Sequence, residues 1–345
     1  MKYGRRFRGA VAIFLIAVLA LLYSPALAAQ DDSKKDKDSK AEGAQGTPVL
    51  WKEPTDIATR DLFNGPGGEG MKPDLSHVTF ESAEEGGYSV KWNVRDGAGH
   101  KWTAKLGNEA QPETVSLRLV WAAGYMTEIN YLVPCAHIAG APKPPGGKAI
   151  ERCEGDGFQN VRFKSRPKGE KSVGTWSWTQ NPFTGTKELQ GLVVLMGLLN
   201  NWDLKDANNK IFNAPAEEFG QPVALYVVSD LGATFGKTGN PITRSRNKPE
   251  DYVKSGFVDR VEGDRVKFHY HGKQSELFDN ITVEQAKWIG DILAQLSKQQ
   301  IDDAFRAGNY KPEEIEALSY ELRARINELH AIGGPATPAP ASSGR

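Results

Sequence analysis

The chain has 345 residues, of which 39% are hydrophobic and 25% are charged, enough for one large domain or two lobes with a substantial core. Its 43 basic and 43 acidic residues balance, so the formal net charge is zero. This balance argues against a nucleic-acid-binding protein, because such proteins normally have an excess of basic residues or a basic patch.

The N-terminus has the composition of a secretory signal peptide. Basic residues precede an apolar run, Ala10–Leu22, which is too short to span a bilayer comfortably. Ala26 and Ala28 give the small-x-small pattern of a cleavage site, so we predict a signal peptide over residues 1–28 and an exported protein, periplasmic or extracellular. The alternative is an uncleaved N-terminal anchor. After cleavage we expect no stable membrane span and a mildly acidic chain, because the removed segment is basic.

Two segments lack the pattern of a folded domain. Residues 29–49 are small and charged without periodicity, which predicts a disordered spacer. Residues 333–345 form a tail rich in Pro, Ala and Ser, which is also predicted to be disordered. The folded part of the chain is therefore expected between these two segments.

Cys135 and Cys153 are the two cysteines of the chain. A small and even number of cysteines in an exported protein favours a disulfide between them. The alternative is a pair of buried free thiols.

Residues 50–185 are predicted to form a β-rich lobe. Five segments favour or alternate β-forming residues and are predicted as strands, the first three of them antiparallel: 77–82, 88–96, 101–107, 129–135 and 158–165. A helix is expected between the third and the fourth strand. It has Pro112 at its first position and ends at Gly124.

Residues 186–332 are predicted to form a mainly helical lobe. The near-continuous apolar run 186–201 predicts a helix that is buried on most sides. The polar stretch NNWDLKDANNK follows it, and an apolar run of strand length within 221–236 then ends in Ser-Asp-Leu-Gly. Three more helices are expected, of which the first opens with Thr282 and Gln285 at the spacing of a capping box.

Polar side chains occur in a definite order along these elements. Lys105 ends a strand, and Glu113 lies early in the helix that follows. The apolar helix is followed by an Asp-x-Lys-x-x-Asn motif, formed by Asp203, Lys205 and Asn208. A later strand ends in an Asp-Leu-Gly motif that begins with Asp230. This order resembles the protein-kinase-like superfamily. The resemblance is to its atypical branches, HipA-type bacterial kinases and secreted kinases of the secretory pathway, because Asn201-Trp202 replaces the His-Arg pair of eukaryotic kinases.

The resemblance implies an α+β, two-lobed protein-kinase-like fold with an antiparallel β-rich N-lobe and a mainly helical C-lobe. It implies that ATP or another nucleoside triphosphate binds with Mg²⁺ or Mn²⁺, and that the γ-phosphate is transferred to a hydroxyl of a protein or a glycan. Lys105 would contact the phosphates. Glu113 would hold Lys105 through an ion pair or help with the metal.

The resemblance also implies roles for the two later motifs. Asp203 would orient the acceptor hydroxyl or accept its proton, and Lys205 belongs to the same catalytic loop. Asn208 and Asp230 would offer amide and carboxylate oxygens, which suit Mg²⁺ or Mn²⁺ better than zinc. Taken singly, these residues also have ordinary explanations as capping or turn residues.

Two other functions stay open from the sequence. An exported pseudokinase would keep the fold and act as a scaffold. It is favoured by the turn EEGG at 84–87, which lies where a nucleotide-covering loop would lie but does not match G-x-G-x-x-G. A β-rich envelope module that binds glycans through stacked indoles is the third possibility. Trp176 and Trp178 have the spacing for this, although packing between lobes also explains them.

Two further patterns each allow a prediction. His269 and His271 have the spacing of metal ligands on one side of a strand, but the sequence offers no third ligand. The basic segment 243–248 lies where an activation segment would run. It can attract an acidic acceptor or phosphates, or it can be an ordinary solvated loop.

Overall fold

The computed structural model describes residues 43–145, 150–166, 172–214 and 219–333. The predicted signal peptide, most of the predicted spacer and nearly all of the predicted C-terminal tail lie outside the described residues. Within these ranges, no helix combines the length and the apolar character needed to cross a bilayer.

A six-stranded sheet dominates the first half of the fold. In their order across the sheet, the strands are β5 (Asn130–Ala136), β7 (Phe158–Ser165), β4 (Lys101–Leu106), β3 (Val90–Arg95), β2 (Val78–Glu84) and β6 (Ile138–Ala139). Neighbouring strands are antiparallel except β2 and β6, which are parallel. The five strands predicted for this half are all present, with ends that differ by a few residues at most.

Strand β3 has the alternating apolar residues of a strand with one buried face. In β3, Val90, Trp92 and Val94 are buried and the residues between them are partly exposed, as expected where one face of the sheet covers a core. Trp92 packs edge to face against Phe80 and Phe158, with ring centroids 5.8 and 5.0 Å apart. The core under the sheet is distinct from the core of the helical half.

Helix α1 (Ala110–Ala122) connects the two cores. It packs against β5 and β7, and most of its apolar residues belong to the core of the helical half. The helix begins two residues before Pro112, so this proline lies within the first turn and not at the predicted first position. Gly124 ends the helix as predicted. It has φ +94°, and a Cβ there would lie 2.3 Å from the carbonyl oxygen of Lys52.

A second, three-stranded sheet includes residues that the sequence assigned to the spacer. β1 (Thr47–Val49) pairs in parallel with β9 (Val223–Val227), whose other edge pairs with β8 (Lys210–Ala214). The side chain of Asn213 also donates to the carbonyl of Gly43, at 2.9 Å. The predicted spacer is therefore wrong for these last residues. A three-residue edge strand is too short to show a periodicity in the sequence.

The second half is mainly helical, and the predicted α+β class is confirmed. The elements not yet named are α2 (Lys187–Leu198), α3 (Pro249–Lys254), β10 (Val258–Glu262), β11 (Arg265–Phe268), α4 (Val283–Leu293), α5 (Lys298–Ala307) and α6 (Pro312–Ala331). The short helix α3 and the hairpin β10–β11 were not predicted. The predicted capping box of α4 is present, because Thr282 and Gln285 exchange side-chain and backbone hydrogen bonds of 3.0 and 3.1 Å.

Trp176 and Trp178 lie in the core and not on the surface. Each is 2% exposed, and their ring centroids are 5.1 Å apart. The indole Nε1 of Trp176 donates to the carbonyl of Val227 in β9, at 3.0 Å. The alternative in which these two indoles form a sugar-stacking platform is therefore wrong, because neither ring is accessible to a ligand.

Cys135 and Cys153 form a disulfide, as predicted, which joins β5 to the segment before β7. Removing it should lower the free energy of unfolding by about 3 kcal/mol, because a loop of this length gains freedom in the unfolded chain. Urea unfolding of the double variant Cys135→Ser/Cys153→Ser measures the effect. Wild-type protein unfolded in a reductant is the control and should lose a similar amount. A double variant as stable as the oxidised wild type would contradict the prediction.

Candidate active site

Lys105, near the end of β4, has a fully buried ammonium group in contact with three carboxylates. Its Nζ lies 2.7 Å from Oε2 of Glu113 and 2.6 Å from Oδ1 of Asp230. Oε2 of Glu109 lies 3.1 Å from the same nitrogen. The structure thus brings together three residues that the motifs single out, and it adds Glu109.

The connection from β4 to α1 explains why two glutamates reach the same lysine. Glu109 is the N-cap of α1 and Glu113 lies one turn later, so both side chains lie on one face of the helix, next to the end of β4. The second oxygen of Glu113 contacts buried Arg162 of β7, at 3.3 Å. The resemblance singles out Glu113 as the partner of Lys105. In the structure both glutamates contact it.

The charges of this cluster stabilise one another. Burial alone would lower the pKa of Lys105, but the carboxylates, first that of Glu113, outweigh burial and raise the pKa well above its usual value. Burial would raise the pKa of Asp230, but Lys105 outweighs it and holds the pKa well below the usual range. Burial would also raise the pKa of Glu109, yet Lys105 and Arg246 lower it. Strongly perturbed groups that are held together in this way are typical of functional sites.

Asp230 is the most accessible member of the cluster. Its side chain is 37% exposed, whereas that of Lys105 has no exposed surface. Its backbone has φ +57°, a conformation that aspartate tolerates better than most residues. The sharp turn is therefore at Asp230 itself and not at Gly232, whose backbone lies outside the left-handed region. Gly232 is needed for a different reason, since a Cβ there would lie 2.5 Å from Cβ of Glu109.

The loop after α2 is hydrogen-bonded to the Asp-Leu-Gly segment. The backbone N–H of Trp202 donates to the carbonyl of Ala233, at 3.3 Å. The N–H of Phe235 donates to the carbonyl of Leu199, at 3.0 Å. The Asp-x-Lys-x-x-Asn motif and the Asp-Leu-Gly motif therefore lie side by side.

Asp203 lies in this loop between two lysines. Its Oδ2 is 3.4 Å from Nζ of Lys205, and its Oδ1 is 3.2 Å from Nζ of Lys273. The amide Nδ2 of Asn208 donates to the carbonyl of Asp203, at 3.1 Å. The N–H of Asp203 donates to Oδ1 of Asn201, at 3.2 Å. The Asp-x-Lys-x-x-Asn spacing thus closes the loop on itself and fixes the position of the carboxylate.

Lys273 is a residue of this site that the sequence analysis missed. Its backbone N–H donates to the carbonyl of Trp202, at 2.9 Å, which holds the lysine beside Asp203. Burial lowers the pKa of Lys273, Asp203 opposes this shift and Lys205 adds to it, so the pKa lies below its usual value. No motif marks this lysine, because it follows a hairpin whose position depends on tertiary packing.

The predicted activation segment, TRSRNK, packs against this region, so its description as an ordinary solvated loop is wrong. Arg246 forms an ion pair with Glu109. Its guanidinium also lies over the rings of Tyr88 and Trp202, 4.1 and 4.5 Å from their centroids. Arg244 stacks on the ring of Trp202 at 4.0 Å. The segment therefore connects the loop after α2 with the turn between β2 and β3.

The turn EEGG lies between β2 and β3, as expected. Gly86 and Gly87 have φ +87° and +80°, which glycine adopts without strain. The hydroxyl of Ser89, just after this turn, donates to Oε2 of Glu109 at 2.6 Å. The turn is therefore tied to the Lys105 cluster.

His269 and His271 do not form a metal site in the described part of the chain. β11 ends before them, so they do not share one side of a strand. Nε2 of His269 lies 3.4 Å from Oδ1 of Asp259, and the N–H of His271 donates to the hydroxyl of Thr238 at 3.2 Å. Across the described ranges, no three or more His, Cys, Asp or Glu side chains are grouped so that they can hold a metal ion.

No protein-family model and no curated protein matches this chain. Among solved structures, the chain is similar to a proinflammatory kinase, CtkA, of Helicobacter pylori, with 10% identity over 75% of this chain and 96% of that one and a TM-score of 0.45. It is also similar to the Golgi casein kinase with Mn and ADP bound, with 10% identity over 76% of this chain and 74% of that one and a TM-score of 0.38. A third similar structure is the Rio2 kinase of Chaetomium thermophilum in a complex with ADP, Mg²⁺ and phosphoaspartate, with 11% identity over 74% and 72% of the two chains and a TM-score of 0.30.

Each of these three structures is a kinase. With every TM-score below 0.5, this similarity assigns no role to any residue of the present chain. Any role has to follow from the contacts described above.

Proposed function

We propose that this protein transfers the γ-phosphate of ATP, or of another nucleoside triphosphate, to a hydroxyl of a protein or glycan acceptor. The observation that supports this most is the buried cluster of Lys105, Glu113 and Asp230 beside the loop that contains Asp203 and Asn208. Phosphoryl transfer depends on positioning and on neutralising negative charge. It requires a cation for the phosphates, oxygen ligands for a metal, and a carboxylate for the acceptor hydroxyl. Adjacent segments of this chain provide all three.

The oxygen donors of the site fit Mg²⁺ or Mn²⁺ that binds together with a nucleotide. Asp230 offers a partly exposed carboxylate. Asn208 uses its amide nitrogen on the carbonyl of Asp203, which leaves its amide oxygen for a metal. Mg²⁺ in nucleotide sites commonly takes one or two protein ligands and completes its coordination with phosphates and water. When bound, the metal neutralises charge on the phosphates.

The side chains of the site then have separate roles in the transfer. Lys105 binds phosphate oxygens, and Glu113 holds it in place. Asp203 accepts the hydrogen bond of the acceptor hydroxyl and takes its proton as the hydroxyl oxygen bonds to the γ-phosphorus. The bond from this phosphorus to the β-phosphate oxygen breaks, and the nucleoside diphosphate leaves. Lys205 and Lys273 lie close enough to Asp203 to position its carboxylate and to offset incoming negative charge.

Two observations favour a second function, that of a pseudokinase which serves as a scaffold. Lys105 has no exposed surface and contacts three carboxylates, so a phosphate reaches it only if part of the cluster moves. The turn EEGG also lacks the G-x-G-x-x-G pattern. Nucleotide binding is common to both functions, and turnover separates them.

We also propose that the protein is exported. The basic and apolar N-terminus of the sequence and the Cys135–Cys153 disulfide support this, because disulfides persist mainly in oxidising compartments.

A nucleoside triphosphate should stabilise the protein only when Mg²⁺ or Mn²⁺ is present. At about 100 times its Kd, the gain in the free energy of unfolding is roughly 2.7 kcal/mol. Thermal unfolding with each nucleotide, with metal or with EDTA, measures it, and release of diphosphate with acceptor candidates measures turnover. Metal-dependent stabilisation without turnover would identify the pseudokinase. If no nucleotide stabilises the protein with either metal, the proposed function is wrong.

A further inference from the structure

A row of three basic residues crosses the six-stranded sheet at the level of Lys105. Lys91 of β3 lies directly opposite Lys105 of β4, and Lys105 lies directly opposite Arg162 of β7. On each of these strands, the residues on either side of the basic one belong to the core under the sheet. Because side chains alternate between the two faces of a strand, the three basic side chains share the face away from that core. This is the face on which Lys105 meets Asp230.

Lys91 is the accessible cation of this row. Lys105 and Arg162 are buried, and both form ion pairs with Glu113. Lys91 is partly exposed, and no Asp or Glu of the described ranges forms an ion pair with it. Glu84 lies opposite Lys91 on β2, but its carboxylate is 3.6 Å from Arg166. Of the three cations, Lys91 is therefore the one that an anion can reach without breaking an ion pair.

The ammonium group of Lys91 lies beside the turn EEGG and close to Asp230. A Cβ on Gly87 would be 3.8 Å from Nζ of Lys91, and a Cβ on Gly86 would meet no atom within 4 Å, so the two glycines leave room beside this group. Burial raises the pKa of Asp230, whereas Lys105 and then Lys91 lower it. The charge of Lys91 thus acts on the carboxylate that is proposed to bind the metal.

We propose that Lys91 binds the phosphate chain of the nucleoside triphosphate alongside Lys105. This inference rests on the proposed phosphotransfer function. Opposite residues on neighbouring strands have Cβ atoms about 4.5–5.5 Å apart, so a single phosphate chain can contact both ammonium groups. Contact with Lys105 requires part of its cluster to move, because Lys105 has no exposed surface. Contact with Lys91 does not require this movement.

Calorimetric titration of the full chain in the presence of Mn²⁺ tests the role of Lys91. The probes are inorganic tripolyphosphate and each of the four ribonucleoside triphosphates. Tripolyphosphate is the part that these nucleotides share, so its binding does not depend on the base. Lys91→Met should bind tripolyphosphate and the nucleotide about 10- to 100-fold more weakly than the wild type, because hydrogen bonds to a charged group are the stronger ones. Lys91→Arg keeps the charge and should restore most of the affinity.

Lys101→Met is the matched control. Lys101 lies on the same face of the sheet, at the exposed beginning of β4, where it is opposite Arg95. That position is about 13 Å along the strand from the pair of Lys91 and Lys105. The control should bind both kinds of probe like the wild type. If Lys91→Met and Lys101→Met weaken binding equally, the effect is general electrostatics and the proposal is overturned.

The two kinds of probe separate this inference from the proposed function. If the wild type binds a nucleotide and a folded Lys91→Met protein binds it equally well, the role of Lys91 is wrong while the phosphotransfer proposal stands. If the wild type binds tripolyphosphate through Lys91 but binds no nucleotide, the phosphate site stands and the phosphotransfer proposal is wrong. If the wild type binds neither, both are wrong. Lys91→Gln, which also removes the charge, replaces Lys91→Met if that variant does not fold.

Discussion

Asp230→Ala should abolish the metal-dependent binding of a nucleotide and, with it, all turnover. Asp230 is the accessible carboxylate of the buried cluster and is the one best placed to bind a metal. Without it, the stabilisation by a nucleotide at saturation, roughly 2.7 kcal/mol at 100 times Kd, should fall close to zero. The fold should survive, because the ammonium of Lys105 keeps the carboxylates of Glu113 and Glu109 at 2.7 and 3.1 Å.

Thermal unfolding with and without nucleotide and Mn²⁺ measures this loss. Asp264→Ala is a matched control, since it removes an aspartate whose side chain is 78% exposed in the turn between β10 and β11. The control should keep the full nucleotide-induced shift. If Asp230→Ala keeps it as well, Asp230 does not bind the metal, and its interaction with Lys105 is only structural.

Much of this site was predictable because its parts are local in the sequence. The apolar residues of β3 and β4 alternate in the sequence, which separates the side chains of the two faces of the sheet, and α1 follows β4 directly. A lysine near the end of β4 and a glutamate in the first turn of α1 are therefore brought together by the chain connection itself. The sequences of α2 and β9 are apolar, which indicates that both elements are buried. The Asp-x-Lys-x-x-Asn motif and the Asp-Leu-Gly motif, which follow them, are therefore expected at the ends of buried elements.

The rest could not be predicted because it depends on contacts between distant segments. Lys273 reaches Asp203 only through the packing of the segment after the β10–β11 hairpin. Arg246 meets Glu109 and Tyr88 only because the segment after Asp230 folds back toward the turn between β2 and β3. No hydrophobic period or motif spacing in the sequence indicates which distant segments come into contact.

Individual residues show a second limit of prediction from the sequence. The resemblance assigns the ion pair with Lys105 to Glu113, and in the structure Glu109 contacts the same ammonium group as well. The backbone of Gly232 is not in the left-handed region, so the close approach of Glu109, a contact between distant segments, is what requires a glycine there. The sequence thus predicts the kind of residue at a site better than the physical reason for it.

Asp203→Ala should have an effect that differs from that of Asp230→Ala. The carboxylate of Asp203 contacts Lys205 and Lys273 and is not part of the cluster around Lys105. Binding of nucleotide and metal should therefore remain nearly intact, while turnover falls by about 10²- to 10⁴-fold, the usual contribution of a positioned general base. Thermal shift and turnover measured on the same preparation test both parts of this prediction.

The variant Asp203→Asn separates a chemical role of Asp203 from a structural one. It keeps the size of the side chain and one acceptor oxygen but cannot take a proton, so turnover should fall nearly as far as in Asp203→Ala. Asn208→Ala should lie between the two aspartate variants, because it removes one oxygen ligand for the metal and one bond that closes the loop, the 3.1 Å bond to the carbonyl of Asp203. Wild-type turnover in Asp203→Asn would rule out proton transfer to this carboxylate. If Asp203→Ala loses nucleotide binding to the same extent as Asp230→Ala, the loop serves to hold the nucleotide site together, and the division of work between the two aspartates is wrong.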